Sequence, residues 1–218
     1  MAQQSFTPAL GRAEWTGLYD VTIALMTREG RWRKALVEQI APKGGDLIVD
    51  VGCGTGSLLL ALHRRAHRAR LMGVDPDREV LARASAKARR RGAEIDFRLG
   101  CASDAASLQI KTADKAVSSL VFHQTPVEEK RAGLAAMYAL LRPGGELHVA
   151  DYGFQRTPLM RRQFKIVQRL DGFEHTEPNA LGILPELMQG CGFAAVTETR
   201  IFPTPTGSIS LYRAFRPR

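Results

Sequence analysis

The chain has 218 residues, 44% of them hydrophobic and 24% charged, enough to bury a core of its own as one domain, residues 1–218. Its three cysteines, Cys53, Cys101 and Cys191, form no C-x-x-C pair, which argues against a disulfide framework or a metal site and for reduced thiols in a cytoplasmic protein. The formal net charge of +9 points to nucleic acid or an anionic membrane surface only if the charge gathers on one face.

Much of that excess is local. Residues 58–91 hold ten Lys/Arg against Asp75, Asp77 and Glu79, on Ala-rich stretches of helical spacing where a solvated basic face is the common outcome. Nucleic acid is therefore not favoured, and peripheral contact with an anionic membrane stays open. The first residues show no basic-then-apolar leader pattern, and no apolar run reaches the roughly 18 residues of a membrane span. The reading is of a soluble protein without a signal peptide.

In chain order, residues 1–45 form an opening segment. Tyr19 and Asp20 either fold over a ligand as a lid or sit on an amphipathic helix, and the spacing predicts a helix over 31–40. Short apolar runs at 46–52, 69–75, 94–100, 115–122, 145–152, 194–202 and 207–215 read as seven strands. Helices are predicted between them at 57–65, 77–91, 127–141 and 181–190. Alternating strands and helices call for a mostly parallel sheet covered on both faces. Only "PTPT" separates the last two strands, too little for a crossover, so the final strand is antiparallel. Residues 151–180 exceed an ordinary connection and read as a substrate-side insertion, with Phe154, Phe164 and Phe173 as an apolar wall or as glue for an extra helix.

Ligands bind such sheets beyond the carboxyl ends of the strands. The stretch "IVDVGCGTGSLLLAL", residues 48–62, lies there. Gly52, Gly54 and Gly56 remove side chains where the turn must let a ligand approach. A dinucleotide fingerprint has the longer spacing G-x-G-x-x-G; here it is G-x-G-x-G, preceded by Asp50. An acid at that place suits an ammonium better than a phosphate. Asp75 closes the second strand 19 residues after Gly56, where an acid commonly accepts hydrogen bonds from ribose hydroxyls. The ligand inferred is an adenosine carrying a cationic amino acid.

At these residues the chain resembles the class I S-adenosylmethionine-dependent methyltransferases. "DVGCGTG" is similar to the first family motif, "GVDPD" to the ribose-binding turn, "DKAVSSLVFH" to the fourth-strand motif and "LLRPGGELHVAD" to the fifth-strand segment; "LMQGCGF" resembles the close of the last family helix. The opening "GLYDVTIALMTREGRWRKALV" is similar to that of the ubiquinone/menaquinone-biosynthesis C-methyltransferase subgroup. The resemblance implies a Rossmann-like three-layer α/β sandwich with a seven-stranded, mostly parallel sheet. It implies S-adenosyl-L-methionine as cofactor, S-adenosyl-L-homocysteine as product, and a small-molecule methyl acceptor of metabolite, quinone-like or lipid-like kind. The cofactor-binding residues it implies are Asp50, Gly52, Cys53 through its amide, Gly54, Gly56, Asp75, Pro76, Cys101, Ala102, Ser118 and Tyr19. Many members carry an acid for the adenine amino group where this chain has Cys101, which leaves adenine to backbone groups, to Ser103 or Asp104, or to packing.

His123 follows the fourth strand on the acceptor side. An imidazole near its ordinary pKa of about 6.5 accepts a proton near neutral pH, so His123 is the candidate general base; otherwise it caps a helix or satisfies a buried carbonyl. Cys101 as a nucleophile finds no partner histidine, and in-line methyl transfer needs no covalent enzyme intermediate. Three other readings are an NAD(P) oxidoreductase, disfavoured by the glycine spacing, a nucleic-acid methyltransferase, which would usually show "(D/N/S)PP(Y/F/W)" where this chain reads "SSLVFHQTP", and a non-catalytic cofactor-binding partner protein.

Overall fold

The structure is a computed structural model, and residues 27–102 and 112–218 are described. The described elements are α1 (Glu29–Ile40), β1 (Leu47–Val51), α2 (Ser57–Arg65), β2 (Arg70–Asp75), α3 (Arg78–Arg89), β3 (Ile95–Leu99) and β4 (Ala113–Ser119). A short 3-10 turn (Phe122–Gln124) precedes α4 (Val127–Leu140), β5 (Leu141–Tyr152), α5 (Pro158–Asp171), α6 (Phe173–Ala180), α7 (Leu184–Gly190), β6 (Ala194–Thr204) and β7 (Gly207–Phe215).

The seven strands form one sheet in the order β3-β2-β1-β4-β5-β7-β6. β1 to β5 run parallel, and β7 is antiparallel to both β5 and β6. Alternation along β1 divides the core. Ile48 faces Trp32, Leu36 and Ile40 of α1 together with α2 and Phe164 and Val167 of α5, whereas Val49 and Val51 face Leu134, Met137 and Leu140 of α4 and Leu184 and Leu187 of α7. That is the three-layer α/β sandwich with an antiparallel last strand that the alternation of patterns called for.

Two differences from the sequence reading have local causes. The fourth strand stops at Ser119, not at 122, because Leu120 turns into the left-handed region at φ 57°. The amides of Val121 and Phe122 then leave the ladder and donate to the Asp151 carboxylate at 3.0 and 2.7 Å. The long connection after β5 folds into α5 and α6, which the sequence reading did not delineate. Thr157 caps α5 by accepting from the Met160 amide at 3.1 Å, Pro158 occupies its first turn, and Gly172 at φ 88° separates the two helices. Phe164 of this insertion is 1% exposed and packs in the core, while Phe154 and Phe173 are exposed, so the three do not form one apolar wall.

Candidate functional site

Strand order reverses between β1 and β4, and the site lies beyond their carboxyl ends. Gly52, Gly54 and Gly56 all have positive φ, at 74°, 52° and 72°, so the turn requires residues that tolerate the left-handed region. A Cβ on Gly52 would overlap Val121 Cγ2, whereas one on Gly54 would meet nothing within 4 Å. Four amides of this turn are already engaged. Gly52 and Cys53 donate to the Val74 carbonyl at 2.8 and 3.0 Å, Gly56 donates to the Cys53 carbonyl at 3.0 Å, and Gly54 donates to Asp75 Oδ2 at 2.9 Å. At Gly52 to Gly54 the turn offers a ligand bare Cα surface rather than free N–H groups, and the Cys53 amide does not face outward as the sequence reading had it. Burial, reinforced by Asp50 and Asp75, also pushes the Cys53 thiol well above its ordinary pKa.

A cavity of about 510 Å³ opens over this turn, within the size range of small-molecule sites, about 300–1,000 Å³. It brings together Gly52, Gly54, Asp75, Pro76, Cys101 and Ala102, six residues singled out from the sequence. Its remaining walls come from the turn after β4, Ser119 to Phe122, and from the start of α4, including Glu128 and Glu129. The first of these segments was read from the sequence only as part of the fourth-strand motif, and the α4 residues were not assigned from the sequence. Gly56 sits behind the cavity as the N-cap of α2. Ser118 is also absent from the walls: its buried hydroxyl donates to the Val51 carbonyl at 2.8 Å, a staple between strands, and the neighbouring Ser119 takes its place. Tyr19, Ser103 and Asp104 lie outside the described residues.

Two acids serve the turn. Asp75 accepts from Gly54 and, at 3.0 Å, from the Asp77 amide; burial raises its pKa against those bonds, and each oxygen keeps a lone pair for a further donor. Asp50 is fully buried, and neither of its oxygens has a hydrogen-bond partner among the described residues. Burial lifts its pKa to about 7; the Arg33 charge opposes that shift and Asp75 adds to it. A buried carboxylate without partners is rare and costly. Asp50 does not itself line the cavity.

His123 is 6% exposed and lies outside the cavity wall, although Phe122 and Gln124 on either side belong to it. Its Nδ1 meets Asp151 Oδ1 at 2.7 Å and its Nε2 meets Asp171 Oδ2 at 3.4 Å. Burial disfavours the charged ring, but Asp151 and then Asp171 outweigh it and raise the pKa to about 9. At neutral pH the ring is an imidazolium with both nitrogens engaged and has no lone pair to accept a proton. The general-base expectation for His123 is corrected accordingly: it is a cationic clasp between the turn after β4, β5 and α5. Lys130 reinforces the clasp. Its buried ammonium donates to the carbonyls of Phe122, of Thr125 at 2.6 Å and of His175 at 2.9 Å, with its pKa lowered by burial to about 8.

A family described as "Methyltransferase domain" matches residues 48–145. The ubiquinone/menaquinone biosynthesis C-methyltransferase UbiE of Bdellovibrio bacteriovorus is 31% identical over 128 residues, covering 59% of this chain and 53% of that protein. The demethylmenaquinone methyltransferase of Clavibacter sepedonicus is 25% identical, covering 94% and 88%. Among solved structures, the magnesium protoporphyrin IX methyltransferase of Synechocystis PCC 6803 with bound SAH superposes with TM-score 0.66 at 22% identity, over 95% of this chain and 90% of that one. Residues 48–145 match a methyltransferase domain, and the chain resembles the class I S-adenosylmethionine-dependent methyltransferases. It spans about half the length of several curated relatives that it matches, 53% and 54% of the first two. The matched region, 48–145, contains every described residue that bounds the cavity, while α5 and α6 lie outside it.

Proposed function

We propose that the chain transfers a methyl group from S-adenosylmethionine to a small-molecule acceptor. The observation that carries this reading is the cavity over the Gly52–Gly54 turn, with Asp75 in its wall and Asp50, buried without a partner among the described residues, on the strand that leads into that turn. The residues present fit the cofactor: Gly52 and Gly54 leave room at the turn, Asp75 has acceptor capacity for ribose hydroxyls, and an orphaned acid two residues before Gly52 favours an ammonium. Cys101 and Ala102 supply small walls where a flat base packs, with the adenine amino group left to backbone. When bound, the cofactor supplies a methyl group already activated on a sulfonium.

The chain's part is to orient and to exclude water. The clasp made by His123, Asp151 and Lys130 fixes the Val121–Thr125 segment, which walls the acceptor side, and His123 takes no proton. The printed names of several relatives, demethylmenaquinone and ubiquinone/menaquinone C-methyltransferases, support an acceptor of quinone-like kind. The test is to incubate the protein with methyl-labelled S-adenosylmethionine and small-molecule extract, then resolve the label by mass. A labelled metabolite that disappears with Asp75→Ala supports the reading; label that enters only nucleic acid, or nothing at all despite tight cofactor binding, overturns it.

A further inference from the structure

Helix α5 carries two apolar stripes. Phe164 and Val167 bury one against the sheet. Leu159, Ile166 and Leu170, spaced by seven and four residues, fall in one line on another side of the helix, and they are 63%, 39% and 54% exposed. Phe173, just past the end of the helix, is 62% exposed. On the helical wheel Arg162, Lys165 and Arg169 lie along one flank of this stripe; all three are exposed, and none has an ion pair among the described residues. The neighbouring charges are turned elsewhere: Arg161 pairs with Glu177 at 2.6 Å, and Asp171 faces His123. The exposed acid nearby, Glu174, lies in the first turn of α6.

A helix with a buried stripe needs no second apolar line, and aliphatic side chains left in water usually mark a contact surface. The occupant must be apolar in the middle and anionic at the edge. A second copy meeting this face about a two-fold axis would set Arg162, Lys165 and Arg169 against their own equivalents. The chain's own residues 1–26 hold one arginine against two acids, too little negative charge to match three cations. Nucleic acid would satisfy the cations but leave Leu159, Ile166 and Leu170 in water, since bases stack on aromatic or guanidinium faces. An anionic bilayer satisfies both features, with aliphatic side chains at the acyl boundary and basic side chains among the headgroups.

We propose that this face of α5 docks the protein on an anionic lipid surface. The basic excess in residues 58–91 is not what carries the contact; three cations beside an apolar line are. The bonds from His123 to Asp171 and from Lys130 to the His175 carbonyl tie the docking hairpin to the segment that walls the cavity, so docking brings the site beside the lipid.

The experiment is co-sedimentation of the full chain with phosphatidylcholine vesicles, with and without phosphatidylglycerol, at low and high salt. The wild type is expected to pellet with the phosphatidylglycerol vesicles, stay in solution with phosphatidylcholine alone, and bind less at high salt. The triple variant R162Q/K165Q/R169Q is expected to lose about a hundredfold in partitioning. The variant L159Q/I166Q/L170Q should also lose binding, with melting temperature and cofactor affinity unchanged in both. Absence of wild-type binding to either vesicle overturns the proposal, as does unaltered binding by the two variants. Light scattering that shows a dimer abolished by L159Q/I166Q/L170Q overturns it in favour of a second copy.

Discussion

Two carboxylates, on strands that flank β4, are fully buried at the carboxyl end of the sheet, and they are treated in opposite ways. Asp151 on β5 is saturated: its oxygens face the amides of Val121, Phe122 and Tyr152 and the ring of His123, all within 3.0 Å. Asp50 on β1 has no partner at either oxygen among the described residues. The first acid is a structural keystone, holding the cavity's far wall in a turn that contains the strained Leu120. The second costs folding free energy, and such a cost persists where a ligand supplies the missing partner. Buried charge therefore marks function here only where it is left unsatisfied.

The comparison is broken most forcefully at Asp151. Asp151→Ala leaves an imidazolium and two or three amides buried without an acceptor and should cost about 3–5 kcal/mol of stability, read from a urea or thermal melt; a loss within the range of an ordinary surface substitution would show that the saturated acid is not a keystone. His123→Gln probes the same network with a defined pH signature. The folded pKa of about 9 lies above the free value of about 6.5, so the contribution is complete below about pH 6.5 and is lost as pH rises through 9. The variant should be less stable by roughly 3 kcal/mol at pH 6, a gap that closes above pH 9. Wild-type turnover should show no step near pH 6–7 of the kind a catalytic imidazole gives, and the folded variant should keep the same pH profile.

Asp50→Asn works in the other direction. With its folded pKa raised to about 7, the carboxylate takes stability away as pH rises from about 4 to 7. The variant should therefore match the wild type near pH 4 and exceed it by roughly 4 kcal/mol above pH 7, while binding S-adenosylhomocysteine more weakly. A variant that is destabilised at pH 8 would show that Asp50 has a partner within the protein.

The same contrast explains what the sequence made legible. Glycines at fixed spacing and an acid at a strand end are local signals, since backbone torsion and strand register set their consequences within a few residues; Gly52, Gly54 and Asp75 were found that way, whereas Ala102 came only from the family resemblance. The state of His123 was not, because its partners lie 28 and 48 residues further on, at Asp151 and Asp171, and a lone histidine carries no mark of what will pack against it. Helices α5 and α6 were missed for a related reason. Their basic residues and central Gly172 interrupt the apolar period that sequence reading relies on, and tertiary contact through Phe164 and Val167 settles the helix.

The central claim is that the orphaned Asp50 and the cavity above it belong to one cofactor site. Calorimetric titration of the wild-type protein with S-adenosylhomocysteine at pH 6 and pH 7.5 tests it most directly. The account predicts micromolar affinity, around −8 kcal/mol, and binding about eightfold to tenfold weaker at pH 6, where Asp50 is mostly protonated and only its ionised form receives the ammonium. Absence of heat at both pH values, or equal affinity at the two with Asp50→Asn binding as tightly as the wild type, would contradict it.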